Sequence, residues 1–147
     1  MSVCIVCSAG GHLSEALVAS SRVTAAKYYV TYDEPHVRER LKGEEVYYVV
    51  DPHVSPFLYM KNAVQSLFIF LKKRPRVVIS NGAGIALATC LLAKLAGSKL
   101  VFIESGARVT TPSRTGKLVY RFADLFIVQW KPLLRHYPKA VYGGPLL

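Results

Sequence analysis

Seven short runs of β-branched, aromatic and aliphatic residues punctuate the chain at 3–7, 28–32, 46–50, 77–80, 100–103, 125–128 and 140–142. Between them lie segments of helical periodicity, near 12–22, 35–42, 55–73, 83–96, 115–122 and 131–136. No other feature restricts the fold as tightly. The runs are largely continuous rather than alternating with polar positions, which is the pattern of strands buried on both faces. Regular strand–helix alternation of this kind predicts an α/β fold with a doubly wound parallel sheet covered by helices on both sides. No repeat, low-complexity tract or linker interrupts the pattern, so residues 1–147 read as one domain.

In such a sheet, ligands bind where the carboxyl ends of the strands pass into helices. Those loops are 8–12, 31–34, 51–55, 80–84, 104–114 and 129–132. In the first, S-A-G-G-H, Gly10 and Gly11 permit a tight turn, and the amides opening the next helix form a phosphate cradle. The loop Asn81-Gly82-Ala83-Gly84 repeats the device after the fourth strand and opens a helix that is apolar nearly all round, and hence expected to be buried. Two such turns in adjacent strands suit a diphosphate, although either could instead serve close helix–sheet packing. Asp33 ends the second strand, where a nicotinamide-binding domain holds its ribose. The first loop lacks the third glycine of G-x-G-x-x-G, however, and Asp33-Glu34-Pro35 reads as a helix start capped by Asp33.

His12 falls in the first turn of its helix, where the positive end of the helix dipole disfavours a charged ring. From the residues alone it is a phosphate hydrogen-bond donor or helix cap first, and a general base second. Glu104, immediately past the fifth strand in F-I-E-S-G-A-R, could orient a sugar hydroxyl, steer His12 or pair with Arg108. Arg108, Arg114, Lys117 and Arg121 make a basic loop and helix.

Charge is unevenly spread. The net charge is +10, yet residues 1–51 carry 5 Lys/Arg against 7 Asp/Glu, and residues 52–147 carry 14 against 2. An anionic partner fits, namely a phosphate-bearing substrate or an acidic membrane surface. Nucleic acid is disfavoured, because most of the basic residues stand singly among apolar ones. The three cysteines lie in apolar segments. Cys4 and Cys7 match C-x-x-C, but an odd separation on a strand turns their sulfurs to opposite faces, so buried thiols are expected rather than a metal or redox site.

Residues 56–76 carry the other unusual feature. Phe57, Met60, Val64, Leu67, Phe68 and Leu71 follow helical spacing and are expected to face the sheet. Leu58, Tyr59, Ile69 and Phe70 fall outside that stripe and, with Lys72, Lys73 and Arg74, predict contact with a membrane interface; a partner surface or a wide buried face would look the same. Its best candidate span, Pro56 to Leu71, is interrupted by Lys61, Asn62, Gln65 and Ser66 and falls short of the roughly 20 apolar residues needed to cross a bilayer.

Read in order, S-A-G-G-H, V-V-I-S-N-G-A-G, F-I-E-S-G-A-R-V, the downstream V-Q-W and the closing K-A-V-Y-G-G-P resemble one family. It is the membrane-associated, acceptor-side subunit of the two-subunit N-acetylglucosaminyltransferase of asparagine-linked glycosylation, with similar halves in bacterial capsule and exopolysaccharide transferases. The resemblance implies a Rossmann-like domain, half of a GT-B glycosyltransferase, that binds a lipid-diphosphate acceptor. A separate donor-binding subunit would hold the UDP-sugar co-substrate. Residue by residue, it implies that Gly10, Gly11, Asn81, Gly82, Ala83, Gly84, Ser105 and Arg108 grip the acceptor diphosphate. It makes His12, or secondarily Glu104, the base of an inverting transfer. No D-x-D motif is present, so neither a metal nor another cofactor is implied. Eukaryotic members carry an amino-terminal membrane-spanning helix. Without one, this chain is expected to be prokaryotic and peripheral, on the cytoplasmic face of the cell membrane, and its end at Y-G-G-P-L-L is expected to mark the missing second wall of the cleft. A non-catalytic membrane scaffold and a stand-alone nucleotide-binding enzyme are the competing readings.

Overall fold

A computed structural model describes residues 1–147. All seven apolar runs are strands: β1 (Ser2–Val6), β2 (Ala26–Thr31), β3 (Val46–Tyr48), β4 (Val77–Ser80), β5 (Lys99–Ile103), β6 (Leu125–Val128) and β7 (Val141–Tyr142). Every pairing is parallel, in the order β3-β2-β1-β4-β5-β6-β7. The chain winds outward from β1 in one direction, then returns to the other side of β1 with β4. The crevice of a doubly wound sheet opens at that reversal.

Five α-helices connect the strands: α1 (Gly11–Ser20), α2 (Pro35–Arg40), α3 (Pro56–Lys73), α4 (Leu87–Leu95) and α5 (Arg114–Val119). Short 3₁₀ turns cover Gly84–Ala86 and Lys131–Arg135. The core divides by strand parity. Cys4, Val6, Tyr28, Val78, Leu100, Phe102, Phe126 and Val128 pack against Phe70 of α3, Cys90 and Ala93 of α4 and Val119 of α5. Val3, Ile5, Cys7 and Tyr29 meet Leu13 and Ala16 of α1 and Val37 of α2. Cys4 and Cys7 therefore do lie on opposite faces, as their spacing demands. Burial pushes the Cys4, Cys7 and Cys90 thiols up to about 12, so all three remain protonated. Coverage of the sheet is unequal: on the α1–α2 face, Val101 and Ile127 are only half-buried and Leu125 is exposed.

Two local expectations change. The cap of α2 is Glu34, not Asp33, and the Asp33 carboxylate instead grips the Arg38 guanidinium, which holds it below the usual carboxylate range. The larger change is in α3, whose orientation is the reverse of the expected one. Its buried residues are Asn62, Ser66 and Phe70. Asn62 Nδ2 donates to Val50 O at 2.9 Å and to Ile85 O at 3.3 Å, Ser66 Oγ donates to Asn62 Oδ1 at 3.2 Å, and Val50 N donates to Gln65 Oε1 at 2.7 Å. The loop after β3 and the turn into α4 present carbonyls that the polar face of α3 satisfies, and that need outweighs the apolar stripe.

Phe57, Met60, Val64, Leu67, Phe68 and Leu71 consequently point to solvent. Of the residues expected at a membrane interface, Phe57 and Tyr59 are exposed, whereas Leu58 and Ile69 are half-buried and Phe70 is in the core. Lys72 lies over the Tyr47 ring, and Lys73 pairs with Glu45 at 2.7 Å and lies over the Tyr28 ring. Arg74, which ends the helix in a left-handed conformation, is exposed. Nor is α4 buried all round: Leu91 and Leu95 are exposed beside α3. No helix is long and apolar enough to cross a membrane.

Replacing Asn62 by Ala strands the Val50 and Ile85 carbonyls, and is expected to destabilise the domain by about 2 kcal/mol. Urea unfolding monitored by circular dichroism measures this; an unchanged midpoint would refute the polar-seam account of how α3 is oriented.

Candidate functional site

Register brings the strand ends together. Val6 pairs with Ser80, and Ser80 pairs with Phe102, so the loops after β1, β4 and β5 leave the sheet side by side. Gly10 caps α1 with φ 67°, a conformation that glycine adopts without a Cβ penalty, and no side chain caps the helix. The first amides of α1 are therefore left for solvent or ligand.

His12 and Asn81 join the first two loops. Asn81 Nδ2 donates to His12 O at 2.6 Å, and His12 Nδ1 lies 3.1 Å from Asn81 O. A carbonyl only accepts, so Nδ1 carries the hydrogen and, in the neutral ring, Nε2 keeps its lone pair. Asn81 also reaches Glu15 Oε2 at 3.4 Å, and Glu15 Oε1 accepts from Gly106 N at 2.7 Å. Glu15 is 6% exposed. Sequence reading overlooked it, although its spacing of three from His12 places both on one side of α1.

A cavity of about 330 Å³ lies between these loops, and its lining includes His12, Ala83, Glu104, Ser105, Arg108 and Arg114. Arg108 and Arg114 are exposed and form no ion pair. Gly10, Gly11, Asn81, Gly82 and Gly84 do not line it. Asn81 is buried and wired inward, and Gly84 is packed beneath Tyr59 and Pro52. Gly84 thus makes the close approach that sequence left as an alternative for the glycines, here to α3 and the loop before it. Lys117 and Arg121 do not line the cavity either.

Glu104 is 1% exposed, and its carboxylate is fully engaged. Oε1 accepts from Ser105 N at 3.1 Å and Ser113 Oγ at 2.7 Å, and Oε2 from Ser113 N at 3.1 Å and Tyr137 Oη at 2.8 Å. It neither pairs with Arg108 nor bonds to His12. Four donors on two oxygens make it the anchor of the loop from 104 to 113, not a free base; burial and this contact hold the Tyr137 hydroxyl protonated. Gln129 and Trp130, in the V-Q-W run, complete the support. Gln129 Nε2 donates to Glu104 O at 3.0 Å and Trp130 Nε1 to Gly106 O at 2.8 Å.

A model of the family described as oligosaccharide biosynthesis protein Alg14 like matches residues 49–146, two thirds of the chain. This chain belongs to the Alg14-like family. The human UDP-N-acetylglucosamine transferase subunit ALG14 is 39% identical over 80 residues, which cover 50% of this chain and 37% of that relative. The Candida albicans protein of the same name is 29% identical over 168 residues, covering 97% of this chain and 77% of its own length. The chain thus spans little more than a third of the mammalian relatives it matches. Among solved structures, Acinetobacter baumannii MurG superposes with a TM-score of 0.75 at 17% identity, over 89% of this chain and 42% of MurG. The Alg14-like fold is the Rossmann-like half of the GT-B architecture.

Glu104→Gln turns a donor toward donors, and is expected to destabilise the Alg14-like chain by about 2 kcal/mol and to speed hydrogen exchange at 105–113. A variant of full stability and unaltered exchange would contradict the anchoring role and restore Glu104 as a candidate base.

Proposed function

We propose that this chain is the acceptor-binding, membrane-recruiting subunit of a heteromeric inverting glycosyltransferase. It would present a lipid-diphosphate-linked sugar to UDP-N-acetylglucosamine held by a separate subunit. The observation that carries this reading is the cavity beside the strand reversal, lined by two unpaired arginines and by His12, the second residue of the uncapped helix α1, whose Nε2 has a free lone pair in the neutral ring. The relatives' name, a transferase subunit, supports the class of reaction and the need for a second chain.

The chemistry follows from those groups. Arg108, Arg114 and the α1 amides hold the acceptor diphosphate by charge-assisted hydrogen bonds. His12 Nε2 takes the proton of the acceptor hydroxyl as its oxygen attacks the sugar's anomeric carbon. The bond from that carbon to the UDP oxygen breaks, UDP leaves with the bonding electrons, and the configuration inverts. The proton stays on Nε2 until solvent removes it, and Asn81 O stabilises the imidazolium through Nδ1–H.

Recruitment to the membrane rests on the α3–α4 face. Met60, Val64, Leu67, Leu91 and Leu95 line a wholly apolar groove, flanked by Phe57 and Phe68, which are 73% and 70% exposed. Arg74, Arg76 and Lys99 gather at the end of the face near Leu71. Apolar side chains beside cations suit the cytoplasmic face of an anionic bilayer, which the chain would join peripherally.

In the assembled enzyme purified with its native partner, His12→Ala is expected to lower kcat by roughly 10²–10⁴-fold without dissociating the subunits. A loss of less than twofold would favour a scaffold, and turnover by this chain alone would refute the divided enzyme. Phe57→Ser/Phe68→Ser is expected to abolish co-sedimentation with anionic vesicles at low salt while leaving the fold intact. Undiminished sedimentation would remove this face from the membrane.

A further inference from the structure

Glu15 is buried in a place where only an acceptor fits. Its two neighbours are donors: Gly106 N–H, at 2.7 Å from Oε1, and the Asn81 amide, at 3.4 Å from Oε2. The same amide donates to His12 O at 2.6 Å, while Asn81 O receives His12 Nδ1–H at 3.1 Å. The backbone and ring of His12 are thus both held by Asn81, and the orientation of Asn81 is held by Glu15. We propose that Glu15 is a positioning residue that, through Asn81, keeps the His12 proton on Nδ1 and the lone pair on Nε2; its importance for turnover rests on the reading of His12 as the base.

The argument is one of hydrogen-bond parity. A glutamine amide at position 15 must turn its NH₂ toward either the Gly106 N–H or the Asn81 NH₂, and both already donate. One escape exists, because Asn81 Oδ1 is buried with no partner. Flipping Asn81 would offer Oδ1 to the new amide, but Nδ2 would then leave His12 O. With that bond gone, the imidazole is no longer fixed against Asn81 O, and the Nε2–H tautomer becomes competitive. The loop side is equally constrained. A Cβ on Gly106 would lie 2.6 Å from Glu15 Oε1 and 3.1 Å from Gln129 Oε1, so any side chain there displaces the carboxylate.

Long-range ¹H–¹⁵N spectra of the His12 imidazole in the full chain read the tautomer directly. The unsubstituted protein is expected to show Nδ1–H, Glu15→Gln a mixture of both tautomers, and Glu15→Asp, which keeps an acceptor-only group, a return toward Nδ1–H. In the assembled enzyme, Glu15→Gln is expected to lower kcat about tenfold, within the range of a misplaced general base, with KM changed less than twofold. Should the Gln variant not fold, Gly106→Ala is expected to shift the tautomer in the same direction. A folded variant that retains Nδ1–H alone overturns the proposal, whatever its turnover. A shifted tautomer with undiminished turnover upholds the positioning role and overturns the reading of His12 as base.

Discussion

The parallel register across the strand reversal governs the rest of the molecule. Because Val6, Ser80 and Phe102 lie abreast, three loops distant in sequence emerge at one edge, within hydrogen-bonding reach of each other. Two buried carboxylates then organise them. Glu15 ties α1 to the loops after β4 and β5, and Glu104 folds the second of those loops back onto α5 and Tyr137. A buried carboxylate is costly unless its lone pairs are met by donors. Each of these draws its donors from the loops that must be fixed, so burial of the charge and ordering of the site are the same event. The result is a sorting of charge: acids turn inward as anchors, while Arg108 and Arg114 remain outside with nothing to neutralise them.

The same accounting explains the exposed apolar face. A helix normally buries its greasy side, at roughly 25 cal/mol per Å² of apolar surface removed from water. Here Asn62, Gln65 and Ser66 must instead meet carbonyl and amide groups of the neighbouring loops. Leaving the Val50 and Ile85 carbonyls without Asn62 would cost about 2 kcal/mol. The apolar stripe is displaced outward as a consequence. It joins Leu91 and Leu95 of α4 in one exposed apolar surface.

How far all this can be read from sequence depends on the range of the interaction concerned. The seven strands and their class are legible because burial on both faces leaves a local, continuous signature. The first glycine-rich turn and His12 are legible for a similar reason, since a strand-to-helix turn is a contiguous motif. Orientation of α3 is not legible, because the groups that decide it, Val50 O and Ile85 O, belong to other segments, and periodicity counts only the helix itself. Glu104 is visible as an unusual acid, yet its role depends on Ser113 and Tyr137, the latter 33 residues away. Glu15 is hidden most completely. A single acid on an amphipathic helix looks like a solvated one until Asn81 and Gly106 are brought to it by the sheet.

Strain at the mouth of the cavity fits this picture of a site ordered in advance. Ala83 has φ 68° and ψ 160°, a region almost restricted to glycine, and such a residue costs about 1–3 kcal/mol. It directly follows Asn81 and Gly82 and lines the cavity together with Arg108. A strained residue persists only where its surroundings over-determine it, and here both sides are pinned: Asn81 by His12 and Glu15, and Gly84 by Tyr59 and Pro52. The backbone at Ala83 cannot relax without breaking one of those contacts. The turn therefore carries its conformational cost in the fold itself, and under the proposed function an acceptor diphosphate would not have to supply that ordering energy at binding.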